Sequence, residues 1–261
     1  MTENSSDSKV RNIINKGSEI SGSAIGGALG FLAAGPIGAA VGGAAGSLAA
    51  TALKKIGTDI SDRYLSEREK IRAGGVLAIA AAGIKQRLEK GDQLRSDSFF
   101  ESKGNNRSGA EEIAESVILK AQKEPEEKKI KYLGNLLVNI SFDSKISPEL
   151  GHQLLKTAEQ LTYRQYCILN LCYTKQFKYN LRTKNYRETG RFPRELYQVL
   201  FECHDLYTKS LINFGGDVAF GPTDVVPQAM TIQGVGADLF NLMELVNVMP
   251  PDVDEVAAAL S

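Results

Sequence analysis

The sequence predicts a mainly α-helical protein: a Gly/Ala-rich helical hairpin, a long helix, a helical bundle and a mixed α+β C-terminal region. Three observations support this fold class. Residues 20–53 carry no charge, helix-capping patterns precede apolar stripes between residues 108 and 178, and short apolar segments with glycine turns follow residue 211.

The uncharged run contains a strict repeat of small residues. Every fourth position is Gly or Ala: Gly22, Gly26, Gly30, Ala34, Gly38, Gly42, Gly46 and Ala50. Positions four apart share one helix face, so this face would let a second backbone approach closely, as in small-xxx-small helix pairs in lipid. We interpret the run as a glycine zipper for membrane association and oligomerisation.

Gly35-Pro36 divides the run into two arms, residues 20–34 and 37–53. Each arm would be about 22–26 Å long, slightly less than the roughly 30 Å hydrocarbon core of a bilayer. The arms are rich in Gly and Ala, so a single copy would gain little by insertion and an oligomer would gain more. Basic residues on both flanks favour cytoplasmic ends: Lys9, Arg11, Lys16, Lys54, Lys55 and Arg63.

Two other interpretations of the run remain open. It could form a soluble hairpin buried against the Ala-rich helix that follows. A secretory signal fits less well, because the first residues are polar and of mixed charge and the apolar part is too long.

The remaining chain shows helical patterns with capping signals. A long helix is expected over residues 60–90, with an uncharged centre at 73–84 too short to favour a membrane span. Capping boxes begin at Ser108 and Thr162, and Ser147-Pro148 opens a further helix. We therefore predict five segments: 1–19 polar, 20–90 hairpin and Ala-rich helix, 91–107 linker, 108–160 helical bundle, and 161–261 mixed region.

The C-terminal region begins with a strong amphipathic helix around residues 196–211. The segments LINFGGDVAFGP and AMTIQGVGADLFNLMEL follow, and indicate a short strand, then a second strand, a glycine turn and a helix. This order, over residues 161–246, resembles winged-helix domains. The connection that would form the wing departs from that pattern, because it contains Pro222 and Pro227.

A second resemblance is carried by EEKKIKYLGNLLVNISFD and SPELGHQLLKTAEQLTYRQYCILNL. These segments are similar to bacterial abortive-infection proteins of the alpha type. In that family a helix ending in an LL-x-N element leads to two more helices, the latter beginning at an L-[ST]-x-x-[QDE] cap. The resemblance covers residues 126–171 and implies a role in phage defence.

No pattern indicates an enzyme or a cofactor. The sequence contains no phosphate-binding loop, nucleophile elbow or paired-histidine zinc motif, and 31 basic residues balance 31 acidic residues. Cys167, Cys172 and Cys203 are typical of core residues in a reducing compartment. Cys203-His204 lacks metal-ligand spacing, so we expect no metal.

Residues 173–194 form a basic segment with interleaved aromatic residues and a single acid, Glu188. Such a segment can bind phosphates or anionic lipid headgroups, although a solvated loop between two helices is the simpler interpretation. Its cations are Lys175, Lys178, Arg182, Lys184, Arg187, Arg191 and Arg194.

These observations predict a bacterial membrane effector of abortive infection. The zipper would oligomerise and perturb the membrane from its cytoplasmic face, at rest or after conditional insertion. The expected partners are lipid, further copies of the chain and a protein trigger. The alternative is a winged-helix regulator that binds nucleic acid, with the Ala/Gly helices as its dimerisation module. A third possibility is a membrane-bound scaffold without a pore.

Overall fold

The computed structural model describes residues 49, 51–53, 55–57, 59, 65–102, 104 and 106–261. The protein is mainly helical, as predicted, and the described residues contain one small antiparallel sheet. The chain divides into two compact units, Met1–Glu159 (unit 1) and Gln160–Ser261 (unit 2). Residues 1–48 lie outside the described part, and so does most of the predicted hairpin.

Four helices form the described frame of unit 1: α1 (Glu67–Glu89), α2 (Gly109–Lys123), α3 (Ile130–Ile140) and α4 (Pro148–Gln160). The capping box at Ser108 is confirmed, since its side chain accepts a hydrogen bond from the Glu111 amide. Ser147 caps α4, because its hydroxyl accepts a hydrogen bond from the Leu150 amide at 3.2 Å. Short 3-10 turns occur at Ser98–Phe100 and Glu127–Lys129.

The uncharged centre of α1 is buried, and α1 packs on α2 and α3. Small residues bring α1 and α3 close together. Gly83 lies against the side chain of Val138, and Gly134 lies against the side chain of Ile79. In the part of the chain that the structure describes, no helix combines the length and apolar character that a membrane span needs.

Helix α1 begins later than we predicted. Leu65 and Ser66 are not helical, and Ser66 forms a capping box with Glu69. Helical periodicity did not predict this box, because the polar residues before Ser66 are also compatible with a helix.

The segment 91–107, which we predicted to be a linker, contributes buried side chains to unit 1. Leu94, Phe99 and Phe100 are buried. The buried guanidinium of Arg95 donates to the carbonyl oxygens of Ile140, at 3.3 Å, and Ile146, at 2.7 Å. These contacts attach the segment to the end of α3, and residues 65–90 and 108–159 lie in one compact unit.

Unit 2 contains four helices and two strands: α5 (Tyr163–Lys178), α6 (Arg194–Thr208), β1 (Ile212–Phe214), β2 (Met230–Ile232), α7 (Val235–Leu242) and α8 (Pro250–Ala259). The Thr162 capping box at the start of α5 is confirmed. Strands β1 and β2 pair antiparallel, with Ile212 opposite Ile232 and Phe214 opposite Met230. Helix α8, which packs on α5, was not predicted.

The glycine turn before α7 is confirmed and has a packing reason. Gly234 has a φ of +49°, and a Cβ on Gly236 would lie 2.2 Å from the carbonyl oxygen of Leu211. Glycine at position 236 therefore lets the first turn of α7 rest directly on the backbone that enters β1.

We predict that Gly134→Ala destabilises the protein by about 1–3 kcal/mol through overpacking. The added Cβ would lie 2.6 Å from Ile79 Cγ2 and 2.9 Å from Ile79 Cβ, which cannot move without shifting α1. This strain opposes the gain of up to about 1 kcal/mol in helix propensity. Urea unfolding would measure the difference.

The matched control is Gly190→Ala, because no atom lies within 4 Å of a Cβ at that exposed position. Its unfolding free energy should stay close to that of the parent. A Gly134→Ala protein more stable than the parent would contradict close packing of α1 on α3.

Candidate functional site

The predicted oligomerisation face lies outside the described residues. It comprises Gly22, Gly26, Gly30, Gly38, Gly42 and Gly46. The end of the uncharged run is described, however, at residues 49 and 51–53, and the described residues 55–57 follow it; all of them are helical. Ala49, Ala52 and Leu53 at the end of the run are buried, as is Ile56 just after it, so this part of the chain belongs to the core.

Two ionic contacts connect this helical end to the frame of unit 1. Lys55 Nζ donates to Glu111 Oε1 at 2.7 Å, and Arg107 Nη2 lies 3.6 Å from Asp59 Oδ2. Glu111 Oε2 also accepts from the Ser108 amide at 2.9 Å. One buried carboxylate therefore caps α2 and holds Lys55.

The environment of Glu111 keeps its carboxylate ionised. Burial raises the pKa of this carboxyl, but hydrogen bonds from Lys55 and Ser108 outweigh burial, so the pKa lies below its ordinary value of 4.5. The stabilisation from this carboxylate is present above that ordinary value and is lost as the pH falls through the lowered pKa.

The predicted basic segment does not form one continuous cationic surface. Lys175 is buried, donates to the carbonyl oxygen of Gln228, and has a pKa lowered by that burial. Lys178 Nζ pairs with Asp254 Oδ1 at 2.6 Å. These two cations therefore hold α5 to the rest of unit 2 and are not free for an anionic ligand.

Two arginines of the segment organise the loop between α5 and α6. The Arg182 guanidinium donates to the carbonyl oxygens of Lys184 and Asn185 and lies 4.6 Å from the Tyr186 ring centroid. Arg187 Nε pairs with Asp224 Oδ1 at 2.5 Å. Lys184, Arg191 and Arg194 are exposed, and in the described part of the chain they make no ion pair.

Asp224 fixes a tight turn in the loop between β1 and β2. Its Oδ2 accepts hydrogen bonds from the amides of Phe220, at 2.7 Å, and Gly221, at 3.2 Å, while its Oδ1 accepts from Arg187. The Arg187 hydrogen bond and the two amides lower the pKa of Asp224 to about 2. This turn holds the Phe220 side chain 84% exposed.

Four exposed apolar side chains gather on α6 and this loop. Tyr197 and Phe201 are four residues apart on one face of α6, and Phe201 is 56% exposed. His204 Nε2 and the carbonyl oxygen of Ala219 are 3.3 Å apart, which places the loop beside α6 one turn after Phe201. We call this surface the aromatic strip; its members are Tyr197, Phe201, Val218 and Phe220.

Sequence reasoning missed the aromatic strip. Leu196, Val199, Leu200 and Cys203 mark the buried stripe of α6, and the last three are fully in the core. Tyr197 and Phe201 lie off that stripe. Large aromatic residues outside the core stripe of an otherwise well-patterned helix were the available signal.

The charges near the aromatic strip are of both signs. Arg194 begins the exposed face of α6, and Asp217 follows β1 in the loop. Two acids on α6 already have internal partners, since Glu202 pairs with Arg164 at 2.6 Å and Asp205 accepts from Gln165 at 2.7 Å. The exposed face of α6 is therefore aromatic and close to neutral, and it offers no row of cations for phosphates.

The cysteines lie in the core, and the described residues contain no cluster suited to a metal ion. Burial raises the pKa of Cys172 to about 12 and that of Cys203 well above its ordinary value. These thiols are therefore packing groups and not nucleophiles.

Unit 1 has an open cleft of about 580 Å³ between Arg95, Phe99, Arg107 and Pro148. Its arginines are already engaged. Arg95 donates to both oxygens of Asp97 and to two carbonyl oxygens, and Arg107 pairs with Glu115. Among the described residues that line it, the cleft therefore presents no free cation that would select an anionic ligand.

No protein-family model matches this chain, and no significant match exists among curated proteins or solved structures.

We predict that the amide proton shifts of Phe220 and Gly221 titrate with a midpoint of about 2, the pKa of Asp224. The turn should be intact above the ordinary aspartate pKa of 3.8 and should open as the pH falls through about 2. Two-dimensional NMR of the full chain would follow both amides.

Arg187→Gln tests the cause of this shift, because the Arg187 hydrogen bond lowers the pKa most. The midpoint should move up toward 3.8 in that variant. An ordinary midpoint in the parent, unchanged by Arg187→Gln, would show that Asp224 does not hold the turn.

Proposed function

We propose that this protein is a membrane-perturbing effector whose glycine zipper oligomerises in the lipid, in the service of phage defence by abortive infection. The observation that carries the proposal is the uncharged run with a small residue at every fourth position. The resemblance of residues 126–171 to abortive-infection proteins supports the biological role. Lipid and further copies of the chain are the partners, and the cytoplasmic face of the inner membrane is the site of action.

The contacts of unit 1 suggest how insertion would be controlled. The two arms of the run are short for a bilayer and weakly hydrophobic, so the inserted and shielded states would differ by only a few kcal/mol. Ala49, Ala52 and Leu53 at the described end of the run are buried, and Lys55, two residues after the run, contacts Glu111. Loss of these contacts on triggering would free that end and shift the balance toward insertion.

For unit 2 we propose a winged-helix-like layout, supported by the order α5, α6, β1, β2 and α7. The alternative function, nucleic-acid binding, would place α6 against phosphates. The near-neutral aromatic face of α6 supports association with protein instead. Tight, sequence-selective binding of DNA by the purified chain at physiological salt would favour nucleic-acid binding over association with protein.

The zipper face is tested by Gly26→Leu, Gly30→Leu, Gly38→Leu and Gly42→Leu, each made singly. Each variant should abolish dye release from anionic liposomes although it raises hydrophobicity, because the leucine side chain holds the facing backbones apart. The matched controls are Ala28→Leu and Ala44→Leu, which add the same side chain two positions away from the zipper face. Equal release by all six variants would refute small-residue packing as the mechanism.

The Lys55–Glu111 contact is tested by Glu111→Gln. This variant keeps a hydrogen-bonding cap but loses the charge, so the buried end of the run should be released more readily. Dye release should begin at a lower protein concentration or a less acidic pH than in the parent.

Glu69→Gln is the matched control, because Glu69 occupies the same capping-box position in α1 and hydrogen-bonds to Ser66 and Gln122. It should leave the threshold for release unchanged. The same threshold in Glu111→Gln and in the parent would mean that the contact does not restrain the run.

A further inference from the structure

The aromatic strip is a preformed surface, because contacts within unit 2 hold its loop in place. The Asp224 carboxylate fixes the turn that carries Phe220, and the contact between His204 and Ala219 seats the loop on α6. Rigid aromatic side chains that are already held in place lose little entropy on binding. Such residues are also the commonest anchors of protein interfaces.

The charges at the two ends of the strip are opposite. The chain of ring contacts from Tyr186 through Phe192 to Tyr197 places Arg191 and Arg194 at the end where α6 begins, together with one exposed acid, Glu195. At the other end, Tyr207 stacks on Phe214, and Asp217 follows in the loop. Arg194 and Asp217 are exposed and have no side-chain partner among the described residues.

We propose that the aromatic strip binds the same strip of a second copy of this chain, in an antiparallel two-fold arrangement. A two-fold interface brings each residue of one copy against its complement on the other. With Phe201 near the axis, Arg194 of each copy would meet Asp217 of the other. A strip that is basic at one end, aromatic in the middle and acidic at the other is complementary to itself.

The size of the strip indicates a weak contact. Its three partly exposed rings offer on the order of 350 Å², against about 800 Å² per partner in a standard interface. Association through the strip alone would therefore be transient. Copies already gathered by another contact would raise the local concentration and populate this one. The proposal concerns a second contact between copies, separate from the glycine zipper.

Cysteine crosslinking of the full chain tests the proposal. Gln198→Cys places a thiol at an exposed position of α6 three residues before Phe201, whereas the native cysteines are buried. A short bis-maleimide should join two copies at position 198. The matched control is Phe177→Cys on α5, an equally open position outside the strip, which should give far less dimer.

Charge-reversal variants then test whether the crosslinked dimer depends on the proposed contacts between Arg194 of one copy and Asp217 of the other. In the Gln198→Cys background, Arg194→Glu would place a glutamate opposite Asp217 of the other copy at both ends of the dimer. The repulsion between these like charges should reduce the yield of crosslinked dimer about tenfold. Asp217→Arg should have the same effect. The double variant Arg194→Glu with Asp217→Arg should restore crosslinking, because the ends exchange sign and stay complementary.

Crosslinking at position 198 no greater than at 177, or a double variant as deficient as the singles, would overturn the pairing. Crosslinking abolished by Gly30→Leu but indifferent to both charge reversals would also overturn it, while leaving the zipper intact. Persistence of the charge-dependent dimer in Gly30→Leu, together with lost dye release, would support the strip and keep the two contacts distinct.

Discussion

Close approach of backbones at small residues is the constraint on which unit 1 depends. At Gly83 and Gly134, α1 and α3 come together until a side chain of the other helix fills the space of the missing Cβ. This packing buries the uncharged centre of α1, which therefore acts as the central core helix of the unit. The segment after α1 joins the same core through Arg95, Phe99 and Phe100. The proposed zipper would use the same physical principle between copies in lipid.

Unit 2 depends more on polar contacts that position its surface. Asp254 holds α5 through Lys178 and Tyr179, and Asp224 holds the loop between β1 and β2 through Arg187. Much of the basic segment is used in this way. Lys175 and Lys178 hold α5, and Arg182 and Arg187 organise the loops near the exposed aromatic side chains; this role differs from direct binding of anions.

The sequence predicted helices and caps well, because Ser108 with Glu111 and Thr162 with Gln165 are local signals that need no tertiary context. The partners in the ion pairs could not be predicted from the sequence, because Lys178 lies beside Asp254 and Arg187 lies beside Asp224 only in the folded chain. The burial of Leu94, Phe99 and Phe100 was not predictable, because the composition of residues 91–107 is largely polar. The aromatic strip escaped detection because periodicity identifies buried faces, and its residues lie off the buried stripe.

We propose that the uncharged run places this protein in a membrane. Fractionation of cells that express the full chain, followed by a carbonate wash of the membranes, tests it most directly. We expect the chain to resist carbonate extraction once triggered. Complete recovery in the soluble fraction, before and after triggering, would contradict membrane insertion and would favour a winged-helix regulator that binds nucleic acid.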